Sequence, residues 1–321
     1  MIKMGIIGCS DIAFRRFMPA IEEQNDVKVV AVAEEYDTRK LPMFCNQYGI
    51  EGMDNYEALI LRDDIDAVYI PQPPALHYKW AKLALESDKH VLVEKPATIS
   101  AKQTEDLIQT AEIKRRVLHE NYMFQYHIQI DKIKEIVESG EIGEIRLVQA
   151  NFGFPLRQKN DFRYLPELGG GAIMDAAGYT IKIATILLGN SIKVDAAHIN
   201  MLDDYDVDMY GTATLSNDQG VVCQVGYGMD NSYQCSLKVW GSKKILLADR
   251  VFTAPADLPI KLQLFQNGEA ETILLPCDSS FKRSIEIFKN AIYSDELREK
   301  LYGEISKQAQ LMDEIQKYYR R

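Results

Sequence analysis

A chain of 321 residues is too long for one small domain and predicts two, each large enough to bury its own core. Its 46% hydrophobic and 26% charged residues are the composition of a globular protein. A formal charge of −10 argues against a nucleic-acid groove or an anionic membrane surface as partner, but leaves room for a small anion held by local donors.

The first third alternates apolar runs with helix-length segments. "IKMGIIG", "VKVVAVA", "DAVYIP" and "HVLVE" read as strands buried on both faces. Between them, "DIAFRRFMPAIEEQ", "TRKLPMFCNQYG", "NYEALILRDD" and "LHYKWAKLALES" read as helices. A helix over 101–114 and a strand near 117–121 continue the alternation, which predicts a parallel sheet with right-handed crossovers. The helix "IQIDKIKEIVESG" then closes on Gly140.

After Gly143 the pattern becomes strand after strand, from "EIRLVQANFGF" to "IKLQLFQNG", with turns at 217–220 and at Asn267-Gly268. One helix, "GGGAIMDAAGYTIKIATILLG", interrupts early, and two more close the chain from about Ser279. The expected architecture is α/β: a doubly wound parallel sheet over 1–121, then an α+β domain over 122–321 with an open, mostly antiparallel sheet. The final helices are expected to pack back on the first domain.

Cys9, Cys45, Cys223, Cys235 and Cys277 form no CxxC pair and no metal-ligand spacing, which reads as reduced thiols and no metal site. With no signal-like amino terminus and no segment read as long enough to span a bilayer, a cytoplasmic location is expected.

"GIIGCSDIA" stands where the first strand turns into a helix and matches G-x-G-x-x-G/A with Ser10 in place of the second glycine. Gly8, Cys9, Ser10, Asp11 and Ile12 are therefore candidate cofactor residues, with Asp11 suited to cap the helix. "AVAEEYD" places Glu34 where a carboxylate meets the ribose hydroxyls of a dinucleotide, with Glu35 beside it. Two carboxylates there favour NAD over NADP, although Arg15, Arg16 and Arg39 are close in sequence.

"GIIGCSDIA", "DAVYIPQPPALH", "ALESDKHVLVEKP", "SGEIGEIRLVQANF" and "NDFRYLPELGGGAIMDAAGY" occur in the order seen in the glucose–fructose oxidoreductase / inositol dehydrogenase / MocA family, which the chain resembles over residues 1–190. The resemblance implies a Rossmann domain followed by an α/β domain whose open sheet forms a homodimer or homotetramer interface. It places Pro71, Gln72, Pro73, His77, Glu94, Lys95 and Asn121 around a nicotinamide cofactor. Lys95 lies in the Glu-Lys-Pro motif, whose lysine faces nicotinamide and substrate and whose proline often follows a cis bond. Pro74 stands where the family usually has asparagine, and Gln125 where many members have arginine.

In "GGGAIMDAAGYTIK", Asp175 and Tyr179 are four residues apart and share a face of a regular helix. By resemblance, Tyr179 is the proton donor to a substrate carbonyl, Lys95 orients it and stabilises the developing oxyanion, and Asp175 binds a substrate hydroxyl. Arg163 of "NDFRY" fits the arginine that holds a cofactor or substrate phosphate. "CSDIAFRRFMPAI" and the Asp175/Tyr179 helix are most similar to the subgroup that reduces nucleotide-linked ketosugars at position 3. Free-sugar, inositol and dihydrodiol dehydrogenases remain alternatives, as does a non-catalytic NAD(H)-binding sensor.

Overall fold

A computed structural model describes residues 1–319, in two compact units. One comprises Met1–Asn121 with Phe281–Ala309; the other comprises Tyr122–Ser280 and the chain from Gln310.

The first unit runs β1 (Ile2–Ile7), a π-helical turn Ala13–Phe17, α1 (Met18–Glu22), β2 (Val27–Ala33), α2 (Leu41–Tyr48), β3 (Glu51–Met53), α3 (Tyr56–Ile60), β4 (Ala67–Ile70), α4 (Pro74–Glu86), β5 (His90–Glu94), α5 (Ala101–Lys114) and β6 (Leu118–Asn121). Every pairing in the sheet is parallel, in the order β3-β2-β1-β4-β5-β6. Strand order therefore reverses at β1, and the crevice beyond the carboxyl ends of β1 and β4 is the place where such sheets bind ligands. The strands are apolar without alternation because helices cover both faces: Val68, Ile70, Val91, Val93 and Leu118 are buried with Trp80, Ala84 and Leu107 of the flanking helices.

The second unit contains α6 (Ile128–Glu138), β7 (Ile145–Gly153), a π-helical turn Ile173–Ala177 leading into α7 (Gly178–Leu188), β8 (Lys193–Met201), β9 (Asp208–Ser216), β10 (Val222–Gly228), β11 (Gln234–Gly241), β12 (Ile245–Asp249), β13 (Ile260–Gln266) and β14 (Glu269–Leu275). Its sheet has the order β14-β13-β12-β11-β7-β10-β9-β8 and is antiparallel except where β7 meets β10. Here the strands do alternate. In β9, Met209, Ala213 and Leu215 are buried while Tyr210 and Thr212 are exposed, as one covered and one open face require. Trp240 is half exposed on the open side.

The chain closes with α8 (Ser280–Tyr293) and α9 (Asp295–Tyr319). Tyr302 and Ile305 of α9 join the core of the first unit.

The expectation that no segment is long enough to span a bilayer fails by length and composition alone. Residues 166–188 are long and apolar enough, by composition, to cross a membrane. However, 78% of its most apolar 18-residue window is buried inside the protein, as for a core helix. It is apolar because it packs against β7 and β10.

Candidate active site

The cofactor-type residues of the first unit collect at the carboxyl ends of its strands. After β1, Gly8 takes φ of 111°, where a side chain would be strained, and an added Cβ would sit 3.1 Å from Gln72 Cγ. Ser10, rather than Asp11, serves the start of the helix: its Oγ accepts from Ala13 N–H at 3.2 Å. Asp11 is exposed and faces Arg15 at 3.7 Å. Burial, reinforced by Glu34, pushes the Cys9 thiol up to about 12, so it is no nucleophile at neutral pH.

Glu34 departs most from expectation. Its Oε2 accepts from Cys9 N–H at 2.7 Å, and its Oε1 accepts from Tyr36 N–H, Asp37 N–H and the Tyr56 hydroxyl. Burial would raise this carboxyl, but those donors outweigh it and hold it below its ordinary range. Glu35 Oε1 accepts from Tyr56 N–H at 2.7 Å. Both carboxylates thus help fasten the turn after β2, and Glu34 has both oxygens engaged there instead of free for a ribose. The Glu34 charge that argued for NAD over NADP persists, but it is directed at these donors and not at a ribose.

Beyond β4 and β5 the turns are tied by His77, which is fully buried. Its Nδ1 lies 2.8 Å from the Pro96 carbonyl oxygen, and its Nε2 lies 2.6 Å from that of Gln72. Burial brings the ring down to about 4, so it is neutral at physiological pH and donates to one of the two. The Lys95–Pro96 bond is cis, and Lys95 is half-buried.

Glu94 Oε1 accepts from the Tyr69 hydroxyl at 2.7 Å and from Asn121 Nδ2 at 2.6 Å. Asn121 Oδ1 in turn accepts from the Ser284 hydroxyl at 2.7 Å. Having given its proton to Asn121, Ser284 accepts from His119 Nε2 at 3.1 Å. Asn121 therefore links Glu94 to Ser284 through the two ends of its amide. Tyr69 and Ser284 escaped the sequence reading: one looked like an ordinary strand residue, and the other comes from a helix 163 positions away.

Two features of this end fit a dinucleotide. The Gly8 turn keeps the backbone open at the strand-order reversal, and the buried Gln72 Oε1 has no hydrogen-bond partner among the described residues. Pro71 and Pro73 flank that glutamine, and Ile12 follows the Gly8 turn.

In the second unit, Arg163 lies 2.8 Å from Asp175 Oδ2 through Nε and 3.0 Å from Asp161 Oδ1 through Nη1. Burial opposes the guanidinium charge, but Asp175 and Asp161 outweigh it and hold the proton more firmly than usual. Arg163 is thus committed to two carboxylates within its own unit. The helix expected over 169–189 opens with a π turn, Ile173–Ala177, so the regular face assumed for Asp175 and Tyr179 is interrupted between them. Tyr179 is 7% exposed and packs against Tyr122, Phe124, Phe152 and Phe252 at centroid distances of 5.3, 5.7, 4.9 and 5.9 Å.

A family model described as the oxidoreductase family with NAD-binding Rossmann fold (GFO/IDH/MocA) matches residues 2–122, and the GFO/IDH/MocA C-terminal domain matches residues 130–247. The chain is 37% identical over 315 residues to a dTDP-3,4-didehydro-2,6-dideoxy-alpha-D-glucose 3-reductase of Actinomadura kijaniata, covering 98% of this chain and 94% of that one. It is 36% identical over 291 residues to the protein of the same description from Saccharopolyspora spinosa, covering 91% and 87%. The crystal structure of a 3-ketoreductase from Actinomadura kijaniata in complex with NADP and TDP-benzene superposes with a TM-score of 0.95, at 36% identity, over 98% of this chain and 97% of that one. Further structures of that protein carry a lysine replaced by alanine and a tyrosine replaced by phenylalanine, and the two replaced positions have the same spacing as Lys95 and Tyr179.

Proposed function

The chain belongs to the GFO/IDH/MocA family of NAD(P)-dependent oxidoreductases, and from that premise we propose that it reduces the ring ketone of a TDP-linked deoxysugar with NADPH. The observation that carries this reading is whole-chain similarity to reductases named for such a substrate, with a lysine and a tyrosine at matching spacing. When bound, the nicotinamide supplies the hydride. Tyr179 gives its hydroxyl proton to the carbonyl oxygen as the electron pair of the C=O bond moves there. The Lys95 ammonium stabilises the charge building on that oxygen. Asp175, oriented by Arg163, takes a substrate hydroxyl. The aromatic box around Tyr179 fixes its ring and excludes water from it.

Because Arg163 is committed to Asp161 and Asp175, Arg157 is the better candidate for the diphosphate. It is exposed, 5.1 Å from the centre of the Phe154 ring, and its backbone N–H donates to the Tyr164 hydroxyl at 2.8 Å. Calorimetric titration of TDP into NADPH-saturated protein is expected to give saturable binding, weakened roughly tenfold by Arg157→Ala, the scale of one charge-assisted contact. Absence of binding by both TDP and UDP would turn the search to free sugars.

With Glu34 and Glu35 turned inward, the cationic side chains after β2 decide the cofactor. Arg39 is exposed and, among the described residues, pairs only with the half-buried Asp37; Lys40 adjoins it. Tyr36, 71% exposed, offers a flat face beside them. NADPH is expected to bind at least tenfold more tightly than NADH. Arg39→Ala should remove most of that difference, by about 1.5 kcal/mol, while leaving NADH binding unchanged. Fluorescence titration measures both constants, and equal or tighter NADH binding would restore the preference read from the sequence.

A further inference from the structure

The amino end of the helix that carries Asp175 and Tyr179 meets a carboxylate from a distant strand. Asp208 opens β9, and its Oδ2 accepts from Ile173 N–H at 2.7 Å. Its Oδ1 occupies the space beside Gly171 that a Cβ would overlap, and Gly171 also takes φ of 113°. Gly170 is closed in on its other side, where an added Cβ would overlap the Arg163 carbonyl oxygen. The backbone completes the clasp: Gly171 N–H donates to the Arg163 carbonyl at 2.9 Å, and Gly170 N–H donates to that of Leu165 at 3.0 Å. The glycine run is therefore flat so that it can lie between the Arg163 turn and the Asp208 carboxyl. Asp208 is held in turn by sheet register, opposite Met201 of β8.

We infer that Asp208 is a positioning residue for the reaction, a capping carboxylate lent by the sheet that fixes the amino end of this helix and thereby the presentation of Asp175 and Tyr179. The free N–H groups of a helix start need acceptors, and no side chain of the helix supplies one here. Asp208 supplies it from outside the segment, at the point where the π turn begins.

The electrostatics agree with a role other than stability. Burial raises the Asp208 carboxyl to about 6, and the N–H groups of Ile173 and Ala172 only partly counter it. From β10 it faces the Tyr227 hydroxyl, itself pushed up by burial and by Asp208; from β8 its register partner is the uncharged Met201. On the helix, Asp175 is the next titratable group and is paired with Arg163. A carboxyl raised above its unfolded value contributes stability that is full below the ordinary carboxylate range and is lost as pH rises through about 6. At neutral pH the ionised group thus strengthens the cap at some cost to the fold relative to the protonated carboxyl.

The test uses the full chain and Asp208→Asn, a mimic of the protonated carboxyl, with Asp208→Ala as the uncapped reference. Its kinetic arm rests on the ketoreductase reading; its exchange arm does not. Wild-type kcat is expected to fall as pH drops through about 6. Asp208→Asn should show no inflection there and should sit roughly three- to tenfold below wild type at pH about 8, the scale of a weakened cap. Asp208→Ala should be lower still, and NADPH affinity should be unchanged in both. Independently of any substrate, hydrogen exchange at the Ile173 amide should be faster in both variants, with the rest of the unit unchanged. An Asp208→Asn pH profile that follows wild type, or unaltered exchange at Ile173, would overturn the inference. Altered exchange without turnover of any ketosugar would leave the cap standing and remove the ketoreductase reading instead.

Discussion

Tyr179→Phe is expected to lower kcat by roughly 10²- to 10³-fold while NADPH affinity changes less than about twofold. The change deletes one oxygen and keeps the ring, so the packing against Tyr122, Phe124, Phe152 and Phe252 persists and stability should hold. On the proposed mechanism the change removes the proton donor. Single-turnover oxidation of NADPH, followed by its absorbance, isolates the chemical step from product release. Lys95→Ala in the same assay should cost a similar factor, because on the same proposal it removes the charge that stabilises the developing oxyanion. If the two act on one oxygen, the double variant will be far less damaged than the product of the single effects. A Tyr179→Phe enzyme with unchanged kcat would return Tyr179 to the rank of a core aromatic.

The sheet of the first unit was legible because both its faces are covered. Met4, Ile6 and Ile7 must all be apolar, and a run of apolar residues flanked by helix-length segments has few other readings. The edge strand Glu51–Met53 was invisible for the opposite reason: three residues with no buried face carry no pattern. The site was legible by position and not by partner. Glu34 stands at the end of β2 as expected, but what its carboxylate does depends on Tyr56, which arrives from 22 residues away. Arg163 and Asp175 were each singled out, yet their pairing depends on the glycine run lying flat between them. The π turn at Ile173–Ala177 left no signal, since an extra residue in a turn does not alter which residues are apolar.

The largest structural effect is expected at Gly178, where the π turn passes into α7. In an ordinary helix, glycine to alanine stabilises by about 1 kcal/mol. Here an added Cβ would overlap the Tyr122 hydroxyl and stand 2.8 Å from Tyr122 Cζ. Tyr122 is fully buried, its hydroxyl lies 3.9 Å from Met312 Sδ, and its ring meets Tyr179 edge-on at 5.3 Å. The ring therefore has no free space to retreat into, and overpacking of this kind costs about 1–3 kcal/mol, more than the propensity gain. Gly178→Ala should lower Tm by several degrees and, by pushing Tyr122 into the box, lower kcat more than it raises KM for NADPH. Tyr122→Phe in the same chain removes the overlapping oxygen but not Cζ, so the double variant should recover part of both losses. Calorimetry and steady-state rates on the three proteins decide it. An unchanged Tm in Gly178→Ala would mean that the helix shifts freely at this junction, and the glycine would then be there for the π turn and not for the tyrosine.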